Sequence, residues 1–212
     1  ADWQVWHRNT GLTYNVAHLN TTAAWTNTGG DNAAFADAYG NATNFTLGAG
    51  SRLNDTNENS ATYVAYLFAG QGDSDSQIFG DDGDEAIIKC GSYTADSSNA
   101  YAVNLGFEPQ WLMIKRTDNT GDWEILDNMR GVSTYDPALG QFLEANKNGA
   151  EFNDYGAYIT STGFVGSNQS GANGASYVYI AIRRGPMKEP SAGTDVFQSQ
   201  TYTGDGSTVQ YT

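Results

Sequence analysis

Two histidines, His7 and His18, one cysteine, Cys90, and the carboxylates between Asp73 and Glu85 are the side chains of this sequence best suited to chemistry. A histidine pair could serve as general base or metal ligand. Both histidines, however, lie near the start of the chain, and Asp127 stands where a later copy of the same pattern would need its counterpart of His7. Cys90 ends an apolar run, AIIKC, which reads as a buried, inert thiol rather than a nucleophile. With no second cysteine there is no internal disulfide framework. Clustered Asp could hold Ca2+ through several oxygens of one loop. The order Asp73, Asp75, Asp81, Asp82, Asp84, Glu85 does not match the EF-hand spacing, so residues 73–85 read first as a solvated acidic linker, with Ca2+ as the one cofactor the sequence suggests. Glu108, Glu124, Glu144 and Glu151 could pair for glycoside hydrolysis, but nothing singles them out and carboxylate separation is not legible in a sequence. There is no G-x-S-x-G, H-E-x-x-H or P-loop. The expectation is a non-enzymatic protein.

Composition narrows the partners. Ten Lys and Arg stand against twenty-four Asp and Glu, a formal charge of −14. So acidic a chain is repelled by a phosphate backbone, and nucleic acid is not an expected partner. No stretch reaches eighteen apolar residues and no signal-peptide pattern opens the sequence, so no membrane insertion is expected.

The elements that must position any site are strands. Gly, Asn and Thr interrupt nearly every run, and only 32–39 (NAAFADAY) and 137–146 (PALGQFLEAN) could carry a turn or two of helix. Strands are predicted at 2–8, 16–20, 44–48, 61–69, 86–94, 100–106, 110–117, 122–127, 155–160, 163–166, 175–184, 195–203 and 208–212. Many short strands between Gly, Asn and Asp turns indicate an all-β sandwich. The runs ATYVAYLFA (61–69) and ASYVYIAI (175–182) are apolar on both alternating faces, so each is expected inside a sheet covered on both sides.

Those two runs also belong to an internal repeat. Asp2-Trp3-Gln4-Val5 matches Asp122-Trp123-Glu124-Ile125 at an offset of 120 in the numbering, and Ala61-Thr62-Tyr63-Val64 matches Ala175-Ser176-Tyr177-Val178 at 114. Ser92-Tyr93-Thr94 matches Thr201-Tyr202-Thr203 at 109. The predicted organisation is tandem: an incomplete sandwich at 1–70, an acidic linker at 71–86, a complete unit at 87–188, and a linker with opening strands of a further unit at 189–212. It reads as a window of a longer array, or alternatively as two domains whose copies differ in length.

The segments GSYT, NLGFEPQWLMIKRTDNTGDWEILDNMRG and SGANGASYVYIAIRRGPMK resemble a repeated β domain of unknown biochemical function in structural proteins of tailed, mainly marine, bacteriophages. The likeness rests on Gly91 to Thr94, Gly106-Phe107, Pro109, Trp111, Ile114 to Arg116, Trp123, Asp127, Arg130 and Tyr177 to Ala181; it departs at Ala95, where a glycine is expected. It implies a jelly-roll or concanavalin-like sandwich. It further implies a virion structural protein, as tail fibre, appendage or decoration protein, whose partners are its own copies or other virion proteins and whose place is a virion or extracellular appendage. Assembly by strand complementation is one expected route. The alternative is a glycan-binding adhesin that attaches to a host surface glycan, in which Trp6, Tyr14, Trp25 and Tyr39 would stack on sugar faces.

Within the complete unit, Trp111 and Trp123 are the expected core anchors. Lys115 and Arg116 are expected at the surface, facing Glu124 or Asp127 across a hairpin.

Overall fold

The structure is a computed structural model and describes residues 2–10, 15–27, 35–41, 44–47, 56–68, 86–132, 141–153, 157–166 and 172–185. The fold is all β. Its strands are β1 (Gln4–Val5), β2 (Asn15–His18), β3 (Thr26–Asn27), β4 (Phe35–Asn41), β5 (Asn44–Leu47), β6 (Ile88–Thr94), β7 (Tyr101–Asn104), β8 (Pro109–Arg116), β9 (Trp123–Asp127), β10 (Gln141–Glu144), β11 (Phe152–Asn153), β12 (Tyr158–Thr160), β13 (Gly163–Gly166) and β14 (Ser176–Arg183). A 3-10 turn, Arg8–Thr10, replaces the end of the first predicted strand. Among the described residues no helix is long and apolar enough to cross a membrane.

Six strands form the central sheet in the order β11-β10-β9-β8-β14-β6, and three form a second sheet, β12-β13-β7. All the pairings recorded between neighbours are antiparallel. Strand β8 is apolar on both faces because both are covered. Leu112 and Ile114 point to the second sheet and join Leu126, Phe142, Tyr179, Ala181, Leu105, Phe107, Ile159 and Phe164 in one buried cluster. Strand period two sends Trp111, Met113 and Lys115 to the opposite face.

An aromatic group ties the two sheets together. Tyr93 of β6 stacks on Tyr177 of β14 with ring centroids 5.0 Å apart and planes 9° from parallel. It also meets Tyr101 of β7 at 4.4 Å and, edge-on, Phe164 of β13. Burial pushes both the Tyr93 and Tyr101 hydroxyls up, with nearby Glu124 adding to the shift. Gly163 is obligatory here, since a Cβ at that position would run into the backbone carbonyl of Val103 across the β13–β7 pair.

The reverse face of the central sheet carries a third layer, β1-β2-β3. Leu19 N–H donates to the Trp3 carbonyl within this layer. Trp25 N–H donates to the Thr117 carbonyl, Gly121 N–H to the Thr22 carbonyl and the Trp123 indole N–H to the His18 carbonyl. The Trp25 and Trp123 rings meet at 5.6 Å.

Several expectations are corrected. Residues 35–39 of NAAFADAY belong to strand β4, not helix, because pairing with β5 outweighs the helix preference of Ala36 and Ala38; 32–34 lie outside the described residues. In PALGQFLEAN, 141–144 are strand β10, since Phe142 pairs with Leu126 and enters the core at period two; 137–140 lie outside the described residues. Trp111 is half-buried on the reverse face and is not the core anchor; Leu112 is. Trp123 is a buried anchor, but of the interface between the central sheet and the third layer. Lys115 is buried, not a surface residue, because its face is the one the third layer covers. Arg116 pairs with Asp118 at 2.8 Å on its own side of the turn, not with Glu124 or Asp127; Asp127 is taken by Arg130 at 2.7 Å. Residues 61–68 form no strand. The predicted strands at 195–203 and 208–212 lie outside the described residues.

Leu112→Ala is expected to cost about 2–5 kcal/mol, the range for a large-to-small change in a packed core, with Gly163→Ala comparably disruptive. Denaturant unfolding checks both. A loss under about 1 kcal/mol for Leu112→Ala would remove it from the core.

Candidate functional site

His7 is held by both ring nitrogens. Asn9 N–H donates to Nδ1 at 3.2 Å, so the imidazole proton sits on Nε2 and is donated to the Tyr179 carbonyl at 3.1 Å. Burial lowers its pKa to about 4, against the raising effect of the Tyr179 carbonyl. Neutral and fully bonded, His7 docks the third layer on β14 and has no lone pair free for a base or a metal. His18 contributes its carbonyl to the Trp123 indole. Cys90 of β6 is buried, and desolvation raises its thiol to about 11, so it stays protonated at neutral pH.

The carboxylates are engaged by cations, two of which are shared: Lys147 bridges Glu144 and Asp122, and Arg130 bridges Asp127 and Glu151. Glu108 meets Arg184, Glu144 meets Lys147 at 2.8 Å, Glu151 faces Arg130 at 3.7 Å, and Asp122 meets Lys147 at 3.0 Å. Asp122 also accepts from the Asn146 amide at 2.7 Å. Among the described residues no group of three or more His, Cys, Asp and Glu could hold a metal ion. The acidic run 73–85, and with it the Ca2+ suggestion, lies outside the described residues.

Among the described residues Lys115 is a charged side chain with 1% of its surface exposed. Its Nζ donates to the Arg116 carbonyl at 2.9 Å and reaches the Thr22 carbonyl of the third layer at 3.5 Å, above the Trp123 ring at 5.9 Å. Desolvation lowers its pKa to about 8, although Asp122 pulls the other way. It works as a clamp between layers.

Among the described residues two surfaces are open for binding. One is a polar cleft of about 400 Å³ where the 3-10 turn meets the ends of β6 and β8 and the start of β14. Asn9, Thr94, Thr117, Asp118, Ser176 and Tyr177 line it, a set of hydroxyls and amides around one carboxylate. The Arg116 guanidinium holds Asp118 below the usual carboxylate range, so it remains an acceptor. This lining can hydrogen-bond a polyol. The second is residues 61–68, all eight exposed, with Val64 at 70% and Leu67 at 73%. Trp3, 52% exposed, lies against Tyr66 at 6.0 Å.

Of the expected sugar-stacking aromatics, the structure describes the side chains of Trp6 and Trp25. Trp6 and Trp25 are half-buried, and Trp25 is spent on Trp123. Tyr14 lies outside the described residues, as does the side chain of Tyr39 in β4. The exposed pair Trp3 and Tyr66 is not among the expected aromatics, because the pattern of 61–69 predicts a doubly covered strand. A warning was available: 61–68 has the pattern of a doubly covered strand, and nothing adjacent in the sequence repeats the pattern of the strands that would flank it.

Residues 1–186 match a family described as a domain of unknown function (DUF7483). No curated protein and no solved structure matches the chain.

The Lys115 environment predicts a pH signature. In the unfolded chain the amine titrates near 10.5 and in the fold near 8, so between these values unfolding takes up a proton and stability rises with pH. The stability difference between wild type and Lys115→Met, measured by denaturant unfolding at pH 7, 8.5 and 10, should shift towards wild type as pH rises. A difference independent of pH would show that the amine is not desolvated.

Proposed function

We propose that this chain, which belongs to the DUF7483 family of domains of unknown function, is a non-enzymatic structural building block. Its setting on this reading is a phage-like virion or extracellular appendage, as tail fibre, appendage or decoration protein. One observation carries the reading: an eight-residue uncharged, apolar segment, 61–68, stands exposed although it has the sequence of the most heavily paired strand of the sandwich. Large contiguous apolar surface on a folded chain is characteristic of protein interfaces. The internal repeat and the resemblance of residues 87–188 to phage structural domains support the setting. The ion-paired carboxylates and the satisfied His7 support a role without catalysis. A charge of −14 disfavours nucleic acid as partner.

A glycan-binding module is the second reading, favoured by the hydroxyl-lined cleft at Asn9, Thr117 and Asp118 and by the exposed Trp3 and Tyr66. It is compatible with the first in a receptor-binding fibre.

Immunogold labelling with antibodies raised against the purified chain is expected to mark purified virions or surface appendages from its natural source. Label confined to the cell interior would overturn the setting. Retention on a glycan array that is lost in Asp118→Ala would establish the second reading at the cleft.

A further inference from the structure

Strand β14 shows what a segment of this sequence type requires. It is paired on one side by β8 and on the other by β6, with Ser176 opposite Thr94, Tyr177 opposite Tyr93, Val178 opposite Ser92 and Tyr179 opposite Gly91. Residues 61–68 repeat β14 at an offset of 114, so Thr62, Tyr63, Val64 and Ala65 stand for Ser176, Tyr177, Val178 and Tyr179. The chain also holds a repeat of β6. Gln200, Thr201, Tyr202 and Thr203 stand for Gly91, Ser92, Tyr93 and Thr94 at an offset of 109. These residues lie outside the described part.

We propose that 61–68 is a docking strand for residues 197–203 of a second copy of this chain, added antiparallel with Thr62 opposite Thr203, Tyr63 opposite Tyr202, Val64 opposite Thr201 and Ala65 opposite Gln200. Three observations carry the register. Tyr202 on Tyr63 reproduces the Tyr93–Tyr177 stack, the closest to parallel of the ring contacts in the sandwich. Sizes also compensate. In the complete unit Gly91 must be glycine because a Cβ there would strike the Tyr179 ring. In the proposed pair the tyrosine has become Ala65 and the glycine has become Gln200, so the bulk moves from one strand to the other. Finally, both faces of 61–68 are apolar and uncharged, which suits addition within a sheet rather than a flat contact.

The occupant is a second copy because 61–68 are exposed in the single chain. Such a contact joins two different surfaces and does not have to close on itself, so it can propagate into a filament. This deepens the building-block reading by naming its contact. The two fail separately, since gold label can mark particles whatever strand joins the copies.

The test uses the full chain in a Cys90→Ala background. Variants Val64→Cys and Ala65→Cys are each mixed with variants Thr201→Cys and Gln200→Cys under mild oxidation. Of two adjacent antiparallel pairs one is non-hydrogen-bonded, with Cα atoms about 4.5 Å apart, inside disulfide range. Either 64 with 201 or 65 with 200 should therefore cross-link between chains on the order of tenfold faster than 64 with 200, whose side chains would lie on opposite faces. In sedimentation, wild type should gain mass with concentration. Of Val64→Pro and Ala65→Pro, one removes a donor to the added strand, and that one should not gain mass while keeping the melting of the sandwich. Equal cross-linking in all pairs, no cross-linking, cross-links only within one chain of a dilute double variant, or unchanged association of both proline variants would each overturn the proposal.

Discussion

The rest of the structure depends on the two-sided burial of β8 and β14. An antiparallel sheet with one wet face alternates apolar and polar residues, whereas these strands are apolar on both sides and demand two covering layers. The second sheet supplies one through Leu105, Phe107, Ile159 and Phe164. The N-terminal layer supplies the other through Trp25, His7 and the backbone of His18 and Thr22. Without it Trp123 and Cys90 would face water.

That arrangement accounts for the polar groups found inside. Lys115 lies on the covered face, and its ammonium survives there because two carbonyls and the Trp123 ring take the place of water. His7 follows the same logic with opposite chemistry: losing its charge costs less than burying it, and both nitrogens then find partners. Both residues look functional in a list of ionisable groups. In the fold each joins the third layer to the central sheet.

Much of the sandwich was legible in the sequence. The hairpin of β8 and β9, the 163–166 strand and the pairing potential of 175–184 follow from period two and from the turn at Asp118 to Gly121. Which face of β8 meets the core was not legible, because Trp111 and Leu112 are both apolar and alternation ranks neither; the larger ring seemed the better anchor. Lys115 was misplaced for a related reason. A lysine near a strand end reads as surface unless the covering layer, about 90 residues away in sequence, is known. Helix was wrongly expected at 35–39 and 141–144 because alanine and leucine content is a local signal, whereas the partners β5 and β9 are not. At the candidate surfaces, the cleft draws one or two residues from each of several elements and leaves no compact motif.

The contrast between 61–68 and 175–182 isolates what a strand sequence encodes. Ala-Thr-Tyr-Val and Ala-Ser-Tyr-Val differ by one methyl group, yet the second is a central strand and the first lies open to water. Local conformational preference is therefore nearly the same, and the difference lies in the neighbours. Val178 is buried because Lys115 and Ser92 flank it, while Val64 is 70% exposed. An extended backbone gains little from its own residues; its hydrogen bonds and half its apolar contacts come from adjacent strands. A segment that keeps the apolar pattern of a central strand in an exposed position thus retains the requirement for a partner, and 197–203 repeats the sequence of β6, which meets that requirement beside β14.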